Sequence, residues 1–177
     1  ETIVNPLKTE QPTEFTKGVH LEKSQIYIPN AQKLDTELAE FYTLDHFLNS
    51  EECDQITALI KKKLRPSTVV SDNSGDESFR TSSTCDFEKP GPFFAEIDRR
   101  ICATLGIDPS YSEITQGQYY EIGEEFKAHT DFFEGTDFEE HTKERGQRTF
   151  TFMVYLNDVQ SGGETDFIRL NQTIKPK

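Results

Sequence analysis

Thr149-Phe150-Thr151-Phe152-Met153-Val154-Tyr155-Leu156-Asn157 alternates in character, with Phe150, Phe152, Val154 and Leu156 at one set of positions and Thr149, Thr151, Met153 and Tyr155 at the other. Successive side chains of a strand point to opposite faces, so the stretch predicts a β-strand with one face toward a core and one toward a pocket wall. The same character extends around it. From Pro109 onward, short segments rich in Tyr, Phe, Thr and Val are separated by turns at Gly117, Gly123, Gly135, Gly146 and Gly162-Gly163, which predicts a β-structure for this half of the chain.

Upstream the period changes to that of helices. Asn49 or Ser50 is placed to cap a helix, Glu51 and Glu52 suit its positive end, and Cys53, Ile56, Leu59, Ile60 and Leu64 form an apolar stripe that Pro66 ends. A second helix starts at Pro92, carries Phe94, Ile97, Ile101 and Leu105, and closes at Gly106. Before these, Ser24 to Pro29 and Phe41 to Leu44 read as short strands, with a brief helix through Leu34 and Leu38 between them. Residues 1–22 are polar and aperiodic, which predicts a mobile arm, and residues 23–177 are expected to form one α+β domain whose helices buttress a β-sandwich or barrel.

Bulk properties narrow the function. A formal charge of −13 repels a phosphate backbone, and Lys61-Lys62-Lys63 reads as a solvated helix face, so no nucleic-acid partner is expected. Three cysteines without a CxxC pair signal neither a disulfide framework nor a thiolate zinc site; reduced thiols and a cytoplasmic location are the expectation. With no long apolar run and no basic-then-apolar leader, neither a membrane span nor a signal peptide is expected, although a leader removed before Glu1 stays open. Only 33% of residues are apolar, so the core must draw on the fourteen Phe and six Tyr.

His129-Thr130-Asp131 sets an imidazole and a carboxylate two residues apart, so on extended backbone both project to the same side. Iron(II) in oxygenases is commonly held by two His and one carboxylate on one face of an octahedron. Such a pair alone also occurs as a surface accident or a structural hydrogen bond, so the flanking residues have to decide.

The flanks are Gln116-Gly117-Gln118-Tyr119-Tyr120-Glu121-Ile122-Gly123 and Phe126-Lys127-Ala128-His129-Thr130-Asp131-Phe132-Phe133. After them come Gly146-Gln147-Arg148-Thr149, Tyr155-Leu156-Asn157-Asp158-Val159 and Gly162-Gly163-Glu164-Thr165, and Arg80-Thr81-Ser82-Ser83 precedes them. In this order and spacing, over about residues 41 to 177, the chain resembles the prolyl 4-hydroxylase family of Fe(II)/2-oxoglutarate-dependent dioxygenases.

That resemblance implies a double-stranded β-helix, the jelly-roll or cupin-like core, buttressed by the N-terminal helices and with its closing strands absent from these 177 residues. It implies Fe(II), with 2-oxoglutarate and O2 as cosubstrates and L-ascorbate as a further candidate. His129 and Asp131 become the catalytic metal ligands, Tyr120 a contact of 2-oxoglutarate and Tyr155 a lining residue of its pocket. Arg80, Ser82, Glu113 and Arg148 match positions along the peptide groove, and the partner is then a proline-containing peptide or protein. Tyr155 as a core tyrosine and Arg148 as a surface arginine are the plainer alternatives. The third ligand, a histidine, and the basic residue pairing with the far carboxylate of 2-oxoglutarate are expected beyond residue 177. His20, His46 and His141 read as structural or exposed. The chain departs from the family pattern in having Phe126 for a usual tyrosine and Ile168 for a common proline. The same chemistry on another side chain, or an inactive jelly-roll module that binds a peptide, are the competing readings.

Overall fold

The computed structural model describes residues 28–36, 38–69, 78–88, 91–143 and 146–176. The arm expected over residues 1–22 and most of the strand expected at Ser24 to Pro29 lie outside them. The chain divides into two compact units, Glu1–Phe47 with Pro90–Glu113, and Leu48–Lys89 with Ile114–Lys177.

In the first unit, β1 (Gln32–Lys33) runs antiparallel to β2 (Tyr42–Thr43), pairing Gln32 with Thr43 and Lys33 with Tyr42. The strand expected at Phe41 to Leu44 is therefore present. The helix expected through Leu34 and Leu38 is not, because the Leu34 N–H donates across the hairpin to the Phe41 carbonyl at 2.9 Å. Cross-strand contacts favour that choice: the Lys33 ammonium lies 2.6 Å from the Glu40 carboxylate and 5.4 Å from the Tyr42 ring centroid. Leu38, which the helix would have buried, is left 73% exposed.

The second expected helix forms within this unit, spanning Pro92–Leu105, with proline in its first turn. Gly106 closes it at φ 68°, a left-handed conformation that costs glycine nothing. Phe94 and Ile97 of the expected stripe are buried together with Cys102, while Ile101 and Leu105 are half-buried.

The second unit begins with α1 (Ser50–Lys61); the helix over Pro92–Leu105 is α2. The Asn49 side chain accepts from the Glu52 N–H, and the Glu52 carboxylate accepts from the Asn49 N–H, both at 2.9 Å. Asn49→Ala is expected to cost about 1 kcal/mol, visible as a lowered thermal midpoint; an unchanged midpoint would show that the cap carries no stability. The helix stops at Lys61 rather than Leu64, because Arg65–Pro66 form β3 and the residue before a proline is biased toward extended backbone.

β3 pairs antiparallel with β4 (Ser83–Asp86), and β4 with β5 (Gln116–Tyr119), giving a three-stranded sheet in the order β3-β4-β5. Cys85 stands opposite Gly117 and Thr84 opposite Gln118, so these pairs occupy opposite faces. The Cys85-Gly117 face receives α1, whose Ile56 and Ile60 are buried. The other face is polar. There Ser82 and Thr84 are buried, and the Ser67 hydroxyl lies 3.0 Å from that of Ser82 and 2.5 Å from that of Thr84.

Beyond the β4–β5 ladder the two chains stay together. The Thr81 N–H donates to the Glu125 carbonyl and the Lys127 N–H to the Phe79 carbonyl, each at 3.0 Å, with Arg80 bridged to Phe126. The segment leading to His129 is thus held beside Arg80. After it comes the short helix α3 (Thr136–His141), closed by the Thr142 N–H donating to the Phe138 carbonyl at 3.1 Å. β6 (Thr165–Phe167) and β7 (Gln172–Ile174) form an antiparallel hairpin.

Thr149–Asn157, expected to be a strand, joins no ladder among the described residues. Its alternation survives in burial over residues 149–154, where Phe150, Phe152 and Val154 are half-buried and Thr149, Thr151 and Met153 exposed; Tyr155 breaks it, being half-buried like Leu156. Alternation belongs to the segment itself, but a ladder also needs a neighbouring strand. The observed architecture is a set of helices with small antiparallel sheets.

Candidate metal centre

His129 follows directly on the segment bridged to Arg80. Its Nδ1 lies 2.7 Å from the Lys127 carbonyl oxygen, which can only accept, so Nδ1 carries the proton and Nε2 of the neutral ring keeps its lone pair. Nε2 faces Asp131 Oδ1 at 3.6 Å. The other carboxylate oxygen, Oδ2, accepts a 2.6 Å hydrogen bond from the Thr151 hydroxyl. One free donor atom from each residue therefore points into a shared space. The Asp131 carboxylate holds the His129 imidazolium form in place and pushes its pKa up, while His129, aided by Thr151 and Arg148, pulls the Asp131 carboxyl down.

The donor set suits a divalent ion. Ligands about 2.1 Å from one ion stand roughly 3.0 Å apart at a right angle and roughly 3.6 Å apart at about 120°. Nε2 and Oδ1, 3.6 Å apart, would close by about half an ångström to share a right angle on an octahedral ion. Among the described residues no third His, Cys, Asp or Glu joins them. His141 instead stacks on Phe133, with ring centroids 5.0 Å apart.

Two structures flank the pair. On the His129 side, the Phe126 ring stacks on the imidazole at 3.6 Å between centroids and 15° between planes, and carries the Arg80 guanidinium 4.4 Å from its centroid. Arg80 is itself tied down: Nε donates to Ser82, Nη1 to the Thr68 carbonyl, and Nη2 to Thr84 and Gln118. On the Asp131 side, Arg148 Nη1 donates to the Asp131 carbonyl at 3.0 Å, and the guanidinium lies 4.3 Å from the Phe133 ring centroid. Gln147 grips the same loop, accepting from the Phe133 N–H at 2.8 Å and donating to the Phe133 carbonyl at 2.7 Å.

The residues singled out from the sequence thus fall into groups. His129, Asp131 and Arg148 come together, with Arg80 and buried Ser82 joined to them through Phe126. Tyr120 is 45% exposed. The Tyr155 hydroxyl donates to Thr165 at 2.7 Å and lies 3.3 Å from the Ile174 carbonyl, so it is engaged by the β6–β7 hairpin. Glu113 is an exposed residue of the first unit. Sequence reading assigned no role to Gln147 or Thr151. The signal for Thr151 was its place on the pocket-facing set of the alternating stretch; Gln147 had none, since its partner lies fourteen residues away.

Comparison with known proteins bears directly on this geometry. Residues 115–177, which include His129, Asp131 and Thr151, match the sequence profile of the 2OG-Fe(II) oxygenase superfamily. Over this segment the chain is similar to that superfamily. Among curated relatives, this chain is 37% identical over 133 residues to "Probable prolyl 4-hydroxylase 10" of Arabidopsis thaliana, covering 69% of this chain and 43% of that protein. It is 36% identical over 126 residues to prolyl 4-hydroxylase 5 of the same plant, covering 69% of this chain and 42% of that protein. The chain spans less than half the length of these relatives. The resemblance drawn from the motifs is borne out.

Proposed function

We propose that this chain carries two of the three ligands of an Fe(II)- and 2-oxoglutarate-dependent dioxygenase that hydroxylates a prolyl residue of a peptide or protein, with succinate and CO2 as co-products. The observation that carries it is the pair of free donor atoms, His129 Nε2 and Asp131 Oδ1, in a chain whose relatives are named prolyl 4-hydroxylases. The third ligand, a histidine, lies in this reading outside the described residues.

Bound iron, with 2-oxoglutarate and O2, supplies the oxidative chemistry; the protein supplies position and shelter. His129 and Asp131 would hold the ion through Nε2 and Oδ1. Tyr120 meets 2-oxoglutarate through its hydroxyl, and Tyr155 lines the pocket. Arg80, Ser82 and Arg148 line the peptide groove. Arg80 enters the groove as a fixed cation, because four of its donor contacts are already made within the protein. Phe79, Phe126, Phe132 and Phe133 supply an apolar wall that keeps water from the reacting centre. The fold proposed for the complete domain is the double-stranded β-helix, supported by the antiparallel ladders and by the alternating burial of residues 149–154.

The test is succinate release by the full-length protein given Fe(II), 2-oxoglutarate and O2, with and without a proline-rich peptide. The expected result is peptide-stimulated succinate and a peptide heavier by one oxygen atom on proline. Oxygen placed on another residue would move the assignment to a different side chain, and peptide binding without succinate would favour an inactive binding module.

A further inference from the structure

Asp131 is an exposed residue on a bend, and an ionised carboxylate offers about four lone-pair sites over two oxygens. Left alone, it has no reason to present one oxygen rather than both. The Thr151 hydroxyl removes that freedom. At 2.6 Å from Oδ2 it must be the donor, since the carboxylate only accepts, and the oxygen left facing His129 Nε2 is Oδ1.

Thr151 is well built for this task. Phe150 and Phe152 on either side are half-buried and anchor the backbone, so the threonine at the intervening position is presented outward. Its β-branched side chain is restricted at χ1, which fixes the direction of the hydroxyl. The same segment holds Asp131 a second time, through Arg148 Nη1 on its carbonyl at 3.0 Å. Asp131 is therefore held at both main chain and side chain by residues 148–151.

We propose that Thr151 is a positioning residue that makes Asp131 a single-oxygen ligand, by occupying Oδ2 and aiming Oδ1 at the ion shared with His129. This rests on the reading of the pair as a metal site. Hydrogen-bond partners of metal ligands are typically worth 10–100-fold in metal affinity, and a hydroxyl that only stabilised the fold would leave affinity and coordination unchanged in a folded variant.

The experiment is a titration of the full-length protein with Co(II) alone, following the visible absorption bands that report coordination number and geometry. Wild type, His129→Ala, Thr151→Val and Thr151→Ser are compared. Thr151→Val keeps the shape without the hydroxyl and is expected to weaken Co(II) binding by about 10–100-fold and to alter the bands as the second oxygen is freed; Thr151→Ser is expected to restore both. Wild-type affinity and bands in Thr151→Val, alongside loss of binding in His129→Ala, would overturn the role of Thr151 and leave the metal site standing. Wild-type binding that does not depend on His129 would overturn the metal-site reading, and the inference with it. If Thr151→Val does not fold, Thr151→Ala is read in the same way, since it removes the hydroxyl from an exposed position without adding bulk.

Discussion

His129→Ala is expected to weaken divalent-metal binding by more than about 100-fold, because losing a ligand should exceed the 10–100-fold typical of losing a ligand's partner. The size of the effect follows from the donor inventory. Among the described residues Nε2 and Oδ1 form the facing donor pair, and with Nε2 gone a single carboxylate oxygen remains there at a half-exposed position. A lone carboxylate in contact with water holds a divalent ion weakly, since water competes for every other position. The fold should survive. His129 stacks on Phe126 near the surface, so its removal forfeits one ring contact and no buried charge. Metal titration and a thermal melt of the same protein therefore separate a lost ligand from a lost fold. Retained tight, stoichiometric binding would show that the ion is held elsewhere.

The largest effect expected on stability comes from a glycine. A Cβ at residue 117 would stand 2.3 Å from Ile60 Cγ1 and 2.6 Å from its Cδ1, and Ile60 is only 4% exposed. Gly117→Ala is thus expected to destabilise the second unit by about 1–3 kcal/mol, the usual cost of forcing extra atoms into a packed contact. Neither partner yields easily. Gly117 is held opposite Cys85 in the β4–β5 ladder, and Ile60 belongs to the last turn of a helix that must end before Arg65–Pro66.

A double-mutant cycle gives this prediction its sign. Ile60→Ala alone should cost about 2–5 kcal/mol. It also removes both atoms that the new Cβ would strike, so the double variant should be more stable than the two separate costs imply. Urea unfolding of the four proteins measures the coupling. Simple additivity would mean that α1 shifts freely on the sheet and that glycine is not required at residue 117.

Several features of the fold are legible because they are written in a few adjacent residues. Asn49 caps α1 by contacts with Glu52, three positions away, and Gly106 closes α2 at the place where the apolar stripe stops. The period-two burial of residues 149–154 follows directly from the order of Phe and Thr. The two errors at the N-terminal end have the opposite origin. The run through Leu34 and Leu38 looks helical in isolation, but Lys33 and Leu34 find better partners across a hairpin in Glu40, Phe41 and Tyr42. Likewise, α1 has an apolar residue at Leu64 for a further turn but loses it to pairing of Arg65–Pro66 with β4.

The His129–Asp131 pair divides along the same line. Its two-residue spacing keeps the imidazole and the carboxylate near one another, with Nε2 3.6 Å from Oδ1. Only tertiary structure decided how they are used: Thr151, twenty residues on, takes one oxygen of Asp131, Gln147 clamps Phe133 from fourteen away, and Arg80 arrives beside Phe126 from a distant loop. Caps, periods and HxD spacing depend on covalent geometry within about one turn or one pleat. Which oxygen stays free, and which cation lies beside the ring, depends on segments that meet only when the chain has folded.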